Sequence, residues 1–168
     1  KGATKQIVEQ LDQGLKRYAD VVKSQLSLDH INTPGTGAAG GLGYAFVTFL
    51  NGTLEPGISI ILDVVDLEKD ILDADFVITG EGKLDAQTAM GKAPAGVAKL
   101  AKKHNKIVIA FCGAAAEDAL ECNKAGMDAY FPILRYPMSL EEAMDKEHAR
   151  KNIKYTAEQV FRLIRALR

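Results

Sequence analysis

Apolar residues recur at intervals of three and four near both ends of the chain, which is the spacing of one helical face. The series near the start predicts an amphipathic helix over residues 3–26, and the series near the end predicts another over 151–167. Each apolar face needs a cover, and a second copy of the chain, in a homo-oligomer, is one candidate. The two series are Ile7, Leu11, Leu15, Tyr18, Val22 and Leu26, and Ile153, Ala157, Val160, Phe161, Ile164 and Leu167.

Between these helices, runs of β-branched and apolar residues alternate with helical patterns. The runs predict strands at 58–65, 75–79, 106–111 and 129–134, with Gly80–Gly82 and Cys112–Gly113 ending the second and third. The patterns predict helices at 38–50, 92–104 and 117–125, and one from 140 that Ser139 and Glu142 cap. This order predicts an α/β fold with a Rossmann-like, largely parallel sheet flanked by helices. Pro56–Gly57 is a candidate domain boundary.

The amino-acid composition argues against some classes of binding partner. The 168 residues include 21 basic and 22 acidic ones, without the clustered positive excess that nucleic acid or an anionic membrane requires. There is no apolar run of about 20 residues and no signal-peptide pattern, so we expect a cytoplasmic protein. Cys112 and Cys122 have the spacing of neither a disulfide framework nor a zinc site and are predicted to be buried thiols. Because the chain begins at Lys1, we expect a piece of a longer protein.

The glycine-rich stretch TPGTGAAGGLG, residues 33–43, is the first candidate for ligand binding. Gly35, Gly37 and Gly40 match the dinucleotide pattern G-x-G-x-x-G, and Asp63 lies near the position of its acidic residue. That pattern follows a strand, whereas the preceding DHINTP has little strand character. The stretch is therefore an anion-binding loop, a turn for close packing, or the site of a NAD-dependent oxidoreductase.

The segment TGEGKLDAQTAMGKAP, residues 79–94, is the best candidate active site, because its many polar groups follow a strand predicted to be buried. A carboxylate there can act as a general base or hold Mg²⁺. Asp85 is equally suited to cap a helix. A non-catalytic α/β module that binds a small acid is a further alternative. The polar residues are Glu81, Lys83, Asp85, Gln87, Thr88 and Lys92.

Together, PGTGAAGGLGYAFVTFL, DADFVITGEGKLDAQTAMGKAP and KIVIAFCG resemble bacterial glycerate kinases of the glycerate 2-kinase type. The resemblance runs through most of the chain and implies a two-domain α/β enzyme. Such an enzyme transfers the γ-phosphate of ATP, with Mg²⁺, to a hydroxyl of D-glycerate, with 2-phosphoglycerate the favoured product. The family's N-terminal part, which opens with a strand and an Asp-Ser-Phe-Lys-Gly motif, is absent. The chain thus resembles a C-terminal portion and is expected to hold one wall of the active site.

The resemblance also implies site residues. It makes the glycine-rich stretch an anion-binding loop and Gly80 to Asp85 part of the catalytic cleft. From the needs of phosphoryl transfer, we expect Asp85 to orient or deprotonate the glycerate hydroxyl, Lys83 to meet phosphate or carboxylate oxygens, and Glu81 to hold Mg²⁺ with Asp85. Substrate or phosphate binding is expected of Gly35, Gly37, Gly40, Gly41, Gly80, Gly82, Gln87, Thr88 and Lys92.

Overall fold

Two helices form the first of two units into which the chain divides after Glu55. In the computed structural model, which describes residues 2–167, α1 spans Lys5–Leu26 and α2 spans Ala38–Leu50. The amphipathic helix predicted at 3–26 is confirmed, and Ala19 and Val22 of α1 pack against Tyr44 of α2. Much of the apolar face of α1 is exposed, with Leu11 61% accessible. Its cover by a second copy stays a prediction.

The start of α2 departs from the predicted helix at 38–50. Ala39, Gly40 and Gly41 have φ values of 51°, 69° and 92°, so the backbone is left-handed there and the regular helix begins after Gly41. Further along, a Cβ on Gly43 would lie 2.6 Å from the carbonyl oxygen of Gly35. The glycine-rich stretch therefore contains a close backbone contact within the first unit, as well as a left-handed turn that glycine adopts at little cost.

The second unit begins at Pro56 and contains a three-stranded parallel sheet in the order β1-β2-β3. Parallel pairing and covering helices confirm the predicted α/β fold with a Rossmann-like sheet. Its elements are α3 (Gly57–Val64), α4 (Leu67–Asp73), β1 (Phe76–Leu84), α5 (Ala86–Ala89), α6 (Ala93–Lys103), β2 (Ile107–Ala115), a 3₁₀ turn (Glu117–Leu120), α7 (Glu121–Lys124), β3 (Ala129–Pro132), α8 (Leu140–Met144) and α9 (Lys146–Ala166).

The strand predicted at 58–65 is wrong, because this segment forms helix α3. Its β-branched residues favour a strand only weakly, and packing against neighbours decides such cases. Ile58 packs so closely on Gly96 of α6 that a Cβ on Gly96 would collide with its side chain. Ile58 thus forms part of the contact between α3 and α6. Asp63 consequently lies in a helix rather than at the end of a strand.

The glycines expected to end two strands lie inside them. β1 continues through Gly80 and Gly82 to Leu84, and β2 continues through Gly113 to Ala115. A Cβ on Gly80 would lie 2.5 Å from the carbonyl oxygen of Phe111, and one on Gly113 would lie 2.5 Å from that of Gly82. The predicted breaks are therefore wrong, since these glycines allow the two strands to approach closely.

Helices cover both faces of the sheet, as expected for parallel strands with apolar cores. On one face, Val77 and Val108 pack with Ala98 of α6. On the other, Ile109 and Phe111 pack with Val160 of α9. Cys112 and Cys122 are buried free thiols, as predicted, and burial raises the pKa of both.

The remaining helices lie close to their predicted positions. α6 confirms the helix at 92–104, and the 3₁₀ turn with α7 occupies 117–124. Ser139 and Glu142 form the predicted capping box of α8. The last helix begins five residues earlier than predicted, because the side chain of Asp145 caps it by accepting from the amide of His148 at 2.9 Å. Within residues 2–167, the helices include none with the length and apolar character of a bilayer-spanning segment.

Candidate active site

The candidate site is built where β1 passes into the short helix α5. Leu84 is the last residue of the strand, and Asp85 is the N-cap of the helix. Asp85 Oδ1 accepts a hydrogen bond from the Thr88 amide at 3.2 Å, and the Asp85 amide donates to Thr88 Oγ1 at 3.4 Å. This reciprocal capping box confirms the alternative in which Asp85 caps a helix. Capping fixes its carboxylate at the carboxyl end of the sheet.

Thr88 joins the carboxylates of the strand and of the cap. Its Oγ1 donates to Oε2 of Glu81 at 2.8 Å and lies 3.4 Å from Oδ1 of Asp85. A hydroxyl has one proton to donate, so the shorter contact with Glu81 receives it. The side chain of Thr88 is fully buried. Thr88 is thus an internal support of this group and is not exposed to a ligand.

Lys92 places one positive charge between the two carboxylates. Its Nζ lies 3.6 Å from Glu81 Oε1 and 3.7 Å from Asp85 Oδ1. The side chains of Glu81 and Asp85 are 29% and 23% exposed, so both carboxylates reach solvent. Lys92 therefore offsets part of the negative charge in the cluster of Glu81, Asp85, Thr88 and Lys92. We call these four residues the polar cluster.

The surroundings of Asp85 favour its ionised form. Partial burial acts to raise the pKa of this carboxyl, but the Thr88 amide and the charges of Lys92 and Lys83 outweigh it, and the pKa is lower than usual. Asp85 is therefore a carboxylate at neutral pH. Its Oδ1 carries the cap, whereas Oδ2 takes part in no hydrogen bond within the described residues.

The other predicted residues of this segment have different surroundings. Lys83 is exposed and pairs with Ala114 in the sheet, so it contributes charge near Asp85 without an ion pair within residues 2–167. Gln87 is exposed on α5. Gly80 has the structural task of admitting Phe111 of the neighbouring strand. The structure thus brings Glu81, Asp85, Thr88 and Lys92 together. Ligand binding by the other residues of this segment stays a prediction.

One residue beside the site was missed. The thiol of Cys122 lies under Asp85 and donates a weak hydrogen bond to its carbonyl oxygen at 3.5 Å. The sequence separation of 37 residues gives no local signal for this contact. Only the fold, which brings α7 into contact with α5, reveals it.

The glycine-rich stretch belongs to the first unit. Thr36, Gly37 and Gly41 line a cavity of about 300 Å³ together with Lys16 and Tyr44. Glycine is required at Gly35 and Gly41 by φ values of 90° and 92°. Anion binding by Gly35, Gly37, Gly40 and Gly41 stays a prediction.

The dinucleotide alternative finds no support in the fold. Residues 27–37, which precede and include the start of the G-x-G-x-x-G pattern, contain turns and no strand. That pattern works by placing its first glycine at the end of a strand. Asp63, the expected acidic partner, lies in α3. The hypothesis of a NAD-dependent oxidoreductase therefore lacks both of its structural conditions, a strand before the first glycine and an acidic residue at the end of a strand.

The polar cluster offers a metal ion two carboxylates, those of Glu81 and Asp85. Within residues 2–167 there is no group of three or more His, Cys, Asp or Glu residues arranged to hold a metal. Mg²⁺ in phosphoryl-transfer enzymes is commonly bound by one or two carboxylates, with water and phosphate completing its shell. Oε1 of Glu81 and Oδ1 of Asp85 both face the ammonium group of Lys92, at 3.6 and 3.7 Å.

A parallel α/β sheet with charged side chains at its carboxyl end is typical of enzymes that act on small polar or phosphorylated molecules. The comparisons with known proteins specify the class further. The profile of the Glycerate kinase family matches residues 1–165, and the chain belongs to that family. This confirms the resemblance drawn from the sequence.

Individual relatives of the chain carry the name of the same family. The chain is 44% identical over 160 residues to the glycerate kinase of Bacillus cereus, covering 95% of this chain and 42% of the relative. It is 43% identical over 143 residues to the glycerate 2-kinase of Escherichia coli, covering 85% and 38%. A crystal structure of a putative glycerate kinase 2 from Salmonella typhimurium matches with a TM-score of 0.71 and 40% identity, over 98% of this chain and 42% of that one. The chain thus spans about two fifths of the length of these relatives.

Proposed function

We propose that the protein carrying this chain is a glycerate kinase, which transfers the γ-phosphoryl group of ATP to a hydroxyl of D-glycerate. The observation that carries the proposal is the polar cluster, because phosphoryl transfer needs aligned oxygens and compensating charges rather than a covalent intermediate. The 2-hydroxyl is the favoured acceptor, since one relative at 43% identity is named a glycerate 2-kinase. We place the protein in the cytoplasm, where ATP for the reaction is available.

Asp85 would orient the acceptor hydroxyl. Its Oδ1 is fixed by the Thr88 amide at 3.2 Å, which leaves Oδ2 of the same rigid carboxylate to accept a hydrogen bond from the glycerate hydroxyl. The lowered pKa keeps this group ionised at neutral pH, so it can accept a proton as the new bond to phosphorus forms. Capping and catalysis are thus compatible uses of its two oxygens.

Glu81 and Asp85 would hold Mg²⁺, which neutralises negative charge on the phosphate oxygens when it is bound. Thr88 fixes Glu81 for that task through the bond at 2.8 Å. Lys92 and Lys83 supply positive charge toward phosphate or carboxylate oxygens. The backbone amides of the glycine-rich stretch would bind a second anionic group.

The direct test is an assay of ADP release by the natural protein that carries this chain, with ATP, Mg²⁺ and D-glycerate. We expect ADP and phosphoglycerate in equal amounts, with phosphorus NMR identifying the acceptor oxygen. Glu81→Gln should lower kcat at least 100-fold, whereas Glu158→Gln, which removes a surface ion pair with Arg162, should leave it unchanged.

Two results would overturn the proposal. Binding of D-glycerate without ADP release would favour a non-catalytic module. Tight binding of NADH without binding of ATP would favour an oxidoreductase.

A further inference from the structure

Lys92 combines a fixed backbone with a loosely held side chain. It is the N-cap of α6, where its amide donates to the carbonyl oxygen of Thr88 at 3.3 Å and its own carbonyl oxygen accepts from the amide of Gly96 at 3.0 Å. Its side chain is 41% exposed and makes two ion pairs, but it donates no hydrogen bond within residues 2–167. The backbone therefore brings the ammonium group to the polar cluster at the end of a flexible four-carbon stem.

The contacts of this ammonium group with the two carboxylates are longer than a hydrogen bond. Nζ lies 3.6 Å from Glu81 Oε1 and 3.7 Å from Asp85 Oδ1, whereas hydrogen bonds between such charged groups are about 2.7–2.9 Å long. Elsewhere in the chain, Nζ of Lys23 approaches Oδ2 of Asp29 to 2.6 Å. Lys92 is thus held by charge, and it can leave its position without breaking a hydrogen bond.

The carboxylates of Glu81 and Asp85 do not depend on Lys92 for their positions. Thr88 holds both, because its hydroxyl donates to Glu81 Oε2 at 2.8 Å and its amide donates to Asp85 Oδ1 at 3.2 Å. Oε1 of Glu81 faces the ammonium group instead. When the ammonium group withdraws, the two carboxylates remain in place with one positive charge fewer beside them. Their Coulomb attraction for another cation then increases.

We propose that Lys92 competes with a divalent cation for the carboxylates of Glu81 and Asp85. The inference rests on the proposed function, in which these carboxylates hold Mg²⁺. The ammonium group faces the oxygens that the cation would use, and it withdraws when the cation binds. A free cation therefore binds weakly, because it has to displace a positive charge first. The phosphate groups of ATP would give the displaced ammonium group a new partner, so the metal binds best together with the nucleotide.

The test measures the binding of Mn²⁺, a paramagnetic substitute for Mg²⁺, to the natural protein without nucleotide. The electron paramagnetic resonance signal of free Mn²⁺ gives Kd. Lys92→Met keeps the apolar stem and removes the charge, so we expect Kd to fall about fivefold or more. Lys92→Arg keeps the charge and should leave Kd within about twofold. An unchanged Kd in Lys92→Met would overturn the proposal.

A control variant separates competition from the general effect of charge. Lys83 is exposed and acts on Asp85 through its charge, without an ion pair within the described residues. Lys83→Met removes the same charge as Lys92→Met and should lower Kd by less than about twofold, since solvent screens its action. An equal fall in both variants would show that Lys92 does not compete for the carboxylates.

A double variant shows whether Mn²⁺ binds at the polar cluster. Adding Glu81→Gln to Lys92→Met removes one of the two carboxylates, so the gain in affinity should be lost. A gain that persists would place the Mn²⁺ elsewhere and contradict the proposal. Lys92→Gln provides a second neutral side chain in case Lys92→Met does not fold, and it should lower Kd in the same direction.

The result is separable from that of the kinase assay, because Mn²⁺ binding is measured without ATP or D-glycerate. An unchanged Kd in Lys92→Met together with ADP release by the wild type would overturn the competition and support the proposed function. Tighter Mn²⁺ binding in Lys92→Met, without ADP release by the wild type, would support the competition and contradict phosphoryl transfer.

Discussion

The hydroxyl of Thr88 donates a hydrogen bond to Glu81 across 2.8 Å from a side chain with no exposed surface. The same residue donates its amide to Asp85 at 3.2 Å. One buried threonine therefore holds a carboxylate on the strand and another on the helix cap. The geometry of the candidate site depends on this residue, although a ligand does not reach it.

Replacing Thr88 should expose this dependence. Thr88→Val keeps the volume but removes a hydrogen bond to a charged group, so we expect the free energy of unfolding to fall by about 1.5–3 kcal/mol. In the natural protein, the kcat of the proposed glycerate phosphorylation should fall too, because Glu81 loses its hydrogen bond, and Thr88→Ser should restore both the stability and kcat. Denaturant unfolding and steady-state assays provide the measurements.

Thr48 offers the control for that variant. Its hydroxyl is buried and has no partner within the described residues, so Thr48→Val should be neutral or stabilising. If the two valine variants lose equal stability, the bond between Thr88 and Glu81 does not have the importance given to it.

Asp85→Asn separates the two uses of that side chain. Asparagine is a good N-cap, so the fold should be retained, but it cannot accept a proton or hold Mg²⁺ strongly. We expect kcat to fall by about 10²–10⁴. Asp145→Asn changes the equivalent cap of α9 and should leave kcat unaltered. Near wild-type turnover in Asp85→Asn, measured by ADP release, would remove Asp85 from the mechanism.

Two glycines of β1 should respond oppositely to alanine. Gly80→Ala places a Cβ 2.5 Å from the carbonyl oxygen of Phe111, so we expect a loss of about 1–3 kcal/mol as the strands separate. Gly82→Ala meets nothing within 4 Å and should be neutral or slightly stabilising, because it restricts the unfolded chain. Unfolding midpoints of the two variants decide this. Equal values would show that the strands do not need glycine at position 80.

Asp128 should contribute stability that depends on pH. Its Oδ2 accepts from the Val108 amide at 2.7 Å and from Lys102 at 2.5 Å. Partial burial acts to raise the pKa of Asp128, but the bonds to Lys102 and Val108 outweigh it and the pKa is lowered. A lowered pKa in the folded state gives stability that is complete above the unfolded value and is lost as pH falls through the folded one.

We therefore expect wild type to exceed Asp128→Asn in stability by up to about 1 kcal/mol above pH 5, given the exposure of the pair. The difference should shrink below about pH 4. Unfolding curves at several pH values measure it. A difference that is constant from pH 3 to pH 7 would contradict the ionic role of Asp128.

The sequence predicted elements well where one signal dominated. The helix α1 and the parallel order of the strands follow from hydrophobic spacing and from alternation along the chain. The helix α3 was not predicted, and Ile58 shows why. A β-branched residue favours strands only slightly, and the contact of Ile58 with Gly96 joins residues 38 positions apart in the sequence.

The site was predictable in composition but not in arrangement. Glu81, Asp85 and Lys92 stand out because a short segment concentrates charge after an apolar run. Gly80 and Gly82 suggested the end of the strand, although both lie inside β1, where Gly80 allows the carbonyl group of Phe111 in β2 to approach closely. The support from Cys122 depends on the tertiary fold and has no counterpart in local sequence.

The direct passage from β1 into α5 has a consequence for the motions of the site. Glu81 and Leu84 pair with Cys112 and Ala115, and Asp85 follows without an intervening loop. Amide hydrogens in this part of the ladder should exchange with solvent as slowly as those of the sheet interior, whereas sites built on loops exchange early. The sheet and the helix cap therefore fix the backbone positions that carry Glu81 and Asp85.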